Sequence, residues 1–193
     1  MTENEKEMMN SIFAKIAELD YIKPDEIPNI ALYMDQVTTF MEDNLASTKR
    51  HDDDKILTKT MINNYTKNHV LPSPDKKKYS RDHILLMIFI YYFKNFLPIS
   101  DIKTILGPLT DKYFHKDADL NLEAIYTTLF SKEDTFVQEV LENVMKQFHM
   151  SADLFPDAPK ADQASLREFT FICMLSLDIY LKKQLIEAIL DKK

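Results

Sequence analysis

Ten apolar residues in unbroken succession, Ile84-Leu85-Leu86-Met87-Ile88-Phe89-Ile90-Tyr91-Tyr92-Phe93, set the first condition on any fold this chain can adopt. A helix that is hydrophobic all round belongs in the middle of a protein or in a membrane. This one is too short for a bilayer, whose hydrocarbon core of roughly 30 Å requires about 20 helical residues. The run therefore predicts a central core helix. Ser80 stands where a cap belongs, and Asp82 complements the positive end. After Pro98, Ser100 and Asp101 restart a short helix with Ile102, Ile105 and Leu106, which Gly107-Pro108 is expected to close.

Scarcity of two residue types removes whole classes of chemistry. Gly107 is the single glycine in 193 residues. The glycine-rich phosphate loop, the dinucleotide fingerprint and the nucleophile elbow are all excluded by that count. Cys173, the single cysteine, lies among Phe171, Ile172, Met174 and Leu175, so no internal disulfide can form and burial is expected. A hydrophobic content of 45% suffices for a packed core. No N-terminal apolar segment with a cleavage site is present, and a cytoplasmic location is the expectation.

The stretch from Ile56 to Arg81 carries the functional signal. Thr58 can cap a short helix on which Met61, Ile62 and Tyr65 share one side. Lys59, Thr60, Asn63, Asn64 and Lys67 fall on the other side, a polar and cationic face without an acid. Lysines neutralise phosphates, asparagine pairs with adenine edges in a major groove, and threonine contacts either base or backbone. Leu71-Pro72 then stops the helix, and Pro72, Ser73, Pro74 and Asp75 favour a turn. Lys76, Lys77 and Lys78 sit at its tip, placed to grip the backbone beside a groove. Ile62, Tyr65, Leu71 and Tyr79 are expected to hold this arrangement from behind.

The order of these residues resembles the MerR-like winged helix-turn-helix family. The resemblance rests on T-x-x-x-I-x-x-Y-x-x-x-x-x-L-P from Thr58 to Pro72, K-x-Y-S from Lys77 to Ser80, and S-D-I-K-x-I-L from Ser100 to Leu106. The chain is also similar to an uncharacterised bacterial family, catalogued as a domain of unknown function, that joins such a reader to a helical C-terminal region. The resemblance covers roughly residues 28–107. It implies an all-α fold: a winged helix-turn-helix with a short lysine-rich wing, followed by a C-terminal helical bundle. Two positions depart from the family pattern. Asn63 stands where a DNA-contacting arginine is usual, and His69 stands where a helix-ending glycine is usual, which implies a left-handed or strained turn there. The charged stretch Lys49 to Lys55 lengthens the connection between the first two helices.

The domain organisation expected is an N-terminal helical arm at 1–27, the winged helix-turn-helix at 28–107, and a C-terminal helical region at 108–193. The arm is a helix from Glu3 to Leu19, followed by Pro24 and Pro28. Ile30 to Leu45 forms the supporting helix of the reader. Farther on, helices are expected at Leu120–Phe130, Lys132–Met150 and about Ala161–Leu190, with Pro156 to Pro159 as a breaker. The last of these is apolar around much of its circumference between Phe169 and Leu181, as befits a helix at the centre of a monomeric bundle or one shared between two subunits; a homodimer through the C-terminal half is the expectation. An apolar pocket among the C-terminal aromatics could accept a small-molecule effector. The same composition also fills a dry core, which is the expected outcome, and no effector is identified.

Net charge is -7 with an isoelectric point near 5.2, an unfavourable overall balance for binding DNA. Its distribution is uneven. Residues 55–81 hold seven cations (Lys55, Lys59, Lys67, Lys76, Lys77, Lys78, Arg81) against Asp75, a local +6 that leaves -13 for the rest. Screening over about 8 Å at physiological salt lets such an island act locally. An enzyme reading has His51-Asp52 as its best support, the pair that opens the metal site of helical phosphohydrolases. His69, His83, His115 and His149 lack compact ligand spacing, so neither catalysis, metal nor cofactor is expected. The expected function is sequence-specific transcriptional regulation on double-stranded DNA, without a membrane. The alternative is a protein-protein interaction module on the same scaffold.

Overall fold

A computed structural model describes residues 3–17 and 21–193. They divide into two compact units, Met1–Ser131 and Lys132–Lys193. Among the described residues there are eight α-helices and one two-stranded antiparallel sheet. No helix among them is long and apolar enough to cross a membrane.

The first unit is built around the apolar run. Helix α4 (Arg81–Phe93) is buried without interruption from His83 to Tyr91. It is covered by α5 (Ile99–Tyr113), α6 (Leu122–Phe130) and strand β2 (Lys78–Tyr79). Tyr126 and Phe130 of α6 meet Phe89 of α4 at ring-centroid distances of 5.6 and 6.3 Å. Helix α5 does not stop at Gly107-Pro108. Buried Ile102 and Leu106 anchor its first half, and it continues to Tyr113 although Pro108 has no N–H to donate. The expected 107/108 boundary therefore lies inside a helix.

The chain before β1 is drawn into the same core. Buried Tyr126 donates its hydroxyl to the Ile22 carbonyl at 2.7 Å. Arg81 donates to the Ile27 and Pro24 carbonyls at 2.8 and 2.5 Å, and to Glu123 at 2.8 Å. Although Arg81 belongs by sequence to the basic island, its side chain is turned inward, where two carbonyls and a carboxylate compensate the guanidinium. Helix α1 (Glu3–Ala17) buries Met9 and leaves Met8 and Ile12 exposed; Leu19, assigned to the same helix by periodicity, lies outside the described residues.

Of the span expected to be one helix from Ile30 to Leu45, Leu32–Tyr33 forms strand β1 and Met34–Leu45 forms α2. Buried Val37, Met41 and Leu45 make the inner face of α2, which meets α3 (Lys59–Lys67), β1 and β2. Helix α2 thus carries the elements of the candidate site.

The second unit is a hairpin of two helices, α7 (Glu133–Ala152) and α8 (Lys160–Leu190). Phe148 and Phe171 meet edge to face at 5.2 Å, and the Arg167 guanidinium lies over the Phe148 ring. Cys173 is exposed, contrary to the burial its apolar neighbours suggested, because α8 turns that side away from α7.

Candidate nucleic-acid interface

Helix α3 begins at Thr58, whose Oγ1 accepts the Met61 amide at 3.2 Å as the cap its position predicted. Ile62 is fully buried and Tyr65 is half-buried, and burial raises the Tyr65 hydroxyl above its ordinary pKa. Lys59, Thr60, Asn63, Asn64 and Lys67 are all exposed. The helix ends on His69 at φ 58°, the left-handed conformation inferred from the missing glycine. Its fold-back lets the Val70 amide reach the Tyr65 carbonyl at 2.9 Å. Val70 and Leu71 are then buried, which fixes the exit of the chain.

The lysine segment is a two-residue reversal. The Lys78 amide donates to the Asp75 carbonyl at 2.8 Å, with Lys76 at φ 47° and Lys77 at φ 66° between them. Two successive positive φ values define a primed hairpin turn, a conformation that normally selects Asn-Gly. Lysines there carry a steric cost of about 1 kcal/mol or more each. After the turn β2 pairs with β1, Tyr33 opposite Lys78 and Leu32 opposite Tyr79. Lys76, Lys77 and Lys78 are exposed, while Tyr79 and Leu32 are buried.

Helix and turn meet at the junction of β1 and α2. The Lys78 ammonium lies over the Tyr33 ring at 5.0 Å. Two residues on, Asp35 forms an ion pair with Lys59 at the start of α3. Lys59 and Lys78 are thereby both held against one short segment. Asp35, which the sequence pattern does not assign to this surface, gives the cationic face an acid that α3 itself lacks. The signal for it is positional, since an acid in the first turn of α2 stabilises that helix wherever α3 lies. Asn64 is also less free than its spacing suggested, because its Oδ1 accepts from Asn68 Nδ2 at 3.0 Å.

His83 braces the turn from behind, a role single-sequence reading missed. Its Nδ1 accepts the Ser80 amide at 3.0 Å, and its Nε2 faces the Ser73 carbonyl at 3.4 Å. One neutral imidazole thus ties the chain just before the lysine turn to the chain just after β2. Burial lowers its pKa to about 4; the Ser73 hydrogen bond and Asp82 oppose that shift, and His115 reinforces it. Ser80 Oγ lies 2.8 Å from His83 Nδ1 and 2.7 Å from His115 Nε2, and the His115 amide donates to Asp82 at 2.6 Å.

The long connection from α2 to α3 contains His51 and Asp52, both exposed. Asp54 closes this loop by accepting the Arg50 and His51 amides at 3.1 and 3.0 Å, and the backbone donation holds its carboxyl below the ordinary pKa. Among the described residues, no three His, Cys, Asp or Glu side chains are gathered to hold a metal ion.

No curated protein and no solved structure matches this chain. A family match covers residues 22–129, more than half of the chain. Its limits coincide with physical closure, for Ile22 is tied to Tyr126 by the hydrogen bond that seals the first unit. By that match the chain belongs to the family described as Domain of unknown function (DUF1836).

Proposed function

We propose that this protein is a sequence-specific DNA-binding transcriptional regulator that reads duplex DNA with α3 and the lysine turn. In this reading α2, α3 and the β1–β2 ribbon serve as a MerR-like winged helix-turn-helix. Thr60, Asn63 and Asn64 face base edges in the major groove, while Lys59, Lys67, Lys76, Lys77 and Lys78 contact the flanking phosphates. The supporting observation is the sorting of side chains along one segment: all eight proposed contacts are exposed, and Ile62, Leu71 and Tyr79 beneath them are buried. Two copies of the reader, paired through the C-terminal unit, would meet successive turns of the groove about 34 Å apart.

Fluorescence anisotropy against mixed duplex DNA at two salt concentrations tests the reading. Five phosphate-binding lysines per protomer give log K a slope of about -4.5 against log salt for each engaged protomer. Neutralising lysines should weaken all duplexes alike, whereas Asn63→Ala should change the preference among sequences. Absent or salt-independent binding would remove the assignment.

A second reading, a protein-protein interaction module on the same scaffold without DNA binding, draws support from the Lys59–Asp35 ion pair. A phosphate must displace this carboxylate to reach Lys59. Asp35→Asn separates the two readings: it tightens DNA binding if α3 meets phosphate and leaves a protein-binding surface without that gain.

A further inference from the structure

Helix α8 has a side that α7, its partner in the second unit, leaves uncovered. Phe169, Ile172, Cys173, Ser176, Ile179 and Tyr180 recur at spacings of three and four, which places them on one stripe. All six are exposed, while Thr170 and Phe171 are buried on the other side. From Phe169 to Leu181 Asp178 is the one charged residue, and it too lies off the stripe. A second row, Leu177, Leu181, Leu185 and Ile189, runs along the adjoining flank at steps of four.

Counting Cys173 and Ser176 apart, the eight large apolar side chains of these rows are each 53–65% exposed. At on the order of 100 Å² apiece they present about 800 Å², the area one partner contributes to a standard stable interface. Such a patch is larger than soluble monomers ordinarily leave in water.

Charge at the ends of the stripe indicates what covers it. Glu168 sits just before it and Lys183 just after it, on the same side of the helix and about 22 Å apart along its axis. Parallel pairing of two α8 helices would oppose Glu168 to Glu168 and Lys183 to Lys183. Antiparallel pairing about an axis near Ser176 opposes each Glu168 to a Lys183 and sets Ile172 against Ile179. Cys173 and Ser176, small side chains near the axis, let the helices approach closely. Lys183 already pairs with Glu187 on its own helix at 3.3 Å, an arrangement that leaves its ammonium at the rim.

We infer that the exposed stripe of α8 docks antiparallel against α8 of a second copy, joining two α7–α8 hairpins into a four-helix bundle. This deepens the pairing invoked for the DNA reader and fixes its surface and polarity. It is tested without DNA, so failure here and failure of DNA binding are separate results.

Sedimentation of the full chain across low to tens of micromolar concentrations should give a dimer. Ile172→Glu with Ile179→Glu should raise the dissociation constant by on the order of a hundredfold or more, because each carboxylate is buried unpaired. Both positions are exposed in the single chain, so circular dichroism should show an unchanged fold. Glu168→Lys alone should weaken the dimer by about tenfold, as two attractive contacts become two repulsive ones. Adding Lys183→Glu should restore it. A wild-type monomer would overturn the inference, whether it stays free or floats with anionic lipid vesicles. So would a dimer indifferent to the glutamates, or one whose charge swaps act without mutual rescue.

Discussion

In the first unit the 13-residue α4 is buried along nine consecutive positions, His83 to Tyr91, whereas in the second unit the 31-residue α8 buries only Thr170 and Phe171. Both helices are apolar over a long stretch, and the difference lies in the number of neighbours. Helix α4 has α5, α6 and β2 around it, while α8 packs against α7. A helix without a polar side is satisfied only when every side is covered. The first unit meets that condition within itself, and the α7–α8 hairpin by itself does not.

The largest effect follows from equal truncations in the two units. Leu86→Ala removes a side chain with no exposed surface and leaves a cavity among packed neighbours, costing about 3–4 kcal/mol. Leu181→Ala removes one that is 57% exposed and should cost under about 0.5 kcal/mol when the chain is monomeric. Urea denaturation at low protein concentration gives both numbers. Comparable losses would mean that α8 is already covered within the chain, and the contrast would collapse.

That contrast also explains what was legible in the sequence. Run length identified α4 as the core because ten apolar residues admit no other place in water. The cap at Thr58 was readable from local backbone chemistry, the burial of Ile62, Leu71 and Tyr79 from the apolar pattern, and the left-handed His69 from the glycine that the resembled family carries there. Long-range partners were not. The inward turn of Arg81 depends on carbonyls at Pro24 and Ile27, more than fifty residues away. Asp35 is an ordinary first-turn acid until folding places it beside Lys59. Cys173 misled for a related reason: apolar neighbours in sequence describe a helix's composition, and exposure is decided by how many sides find a partner.

The next effect is specific to the first unit and depends on pH. His83 titrates at about 4 when folded and near 6.5 when unfolded, so the unfolded chain binds the proton more readily. The contribution is therefore complete above pH 6.5 and is lost as pH falls from 6.5 to 4. It amounts to about 3 kcal/mol over that window. Protonation also puts a hydrogen on Nδ1, directly against the Ser80 amide. Thermal melts from pH 7.5 to 4 should show this loss in the first unit, and His83→Gln should flatten it. A loss of the same size in His83→Gln would assign the pH dependence to other groups.

A smaller effect separates stability from function at the lysine turn. Replacing Lys76-Lys77 by Asn-Gly supplies residues that accept positive φ and should stabilise the first unit by about 1–2 kcal/mol. The same change removes two cations, so on the proposed DNA reading the salt slope of binding should shrink by about two per protomer. Higher melting temperature with weaker DNA binding is the signature of strain retained for a cationic tip. Higher stability with unchanged binding would place the turn outside the interface.

The smallest effect concerns the glycine in α5. Gly107 sits in a continuous helix, without positive φ, and a Cβ built on it meets no atom within 4 Å. Its flexibility is therefore unused by the fold, and Gly107→Ala should stabilise the first unit by about 0.5–1 kcal/mol by restricting the unfolded chain. Pro108 next to it already weakens the helix by removing one backbone donor, so the pair marks a point where α5 can bend. If alanine raises the melting temperature and leaves DNA binding unchanged, the bend has no part in the proposed reading of DNA. If it lowers binding while stabilising the fold, α5 must flex for the reader to engage, and the first unit is less rigid than the continuous burial of α4 implies.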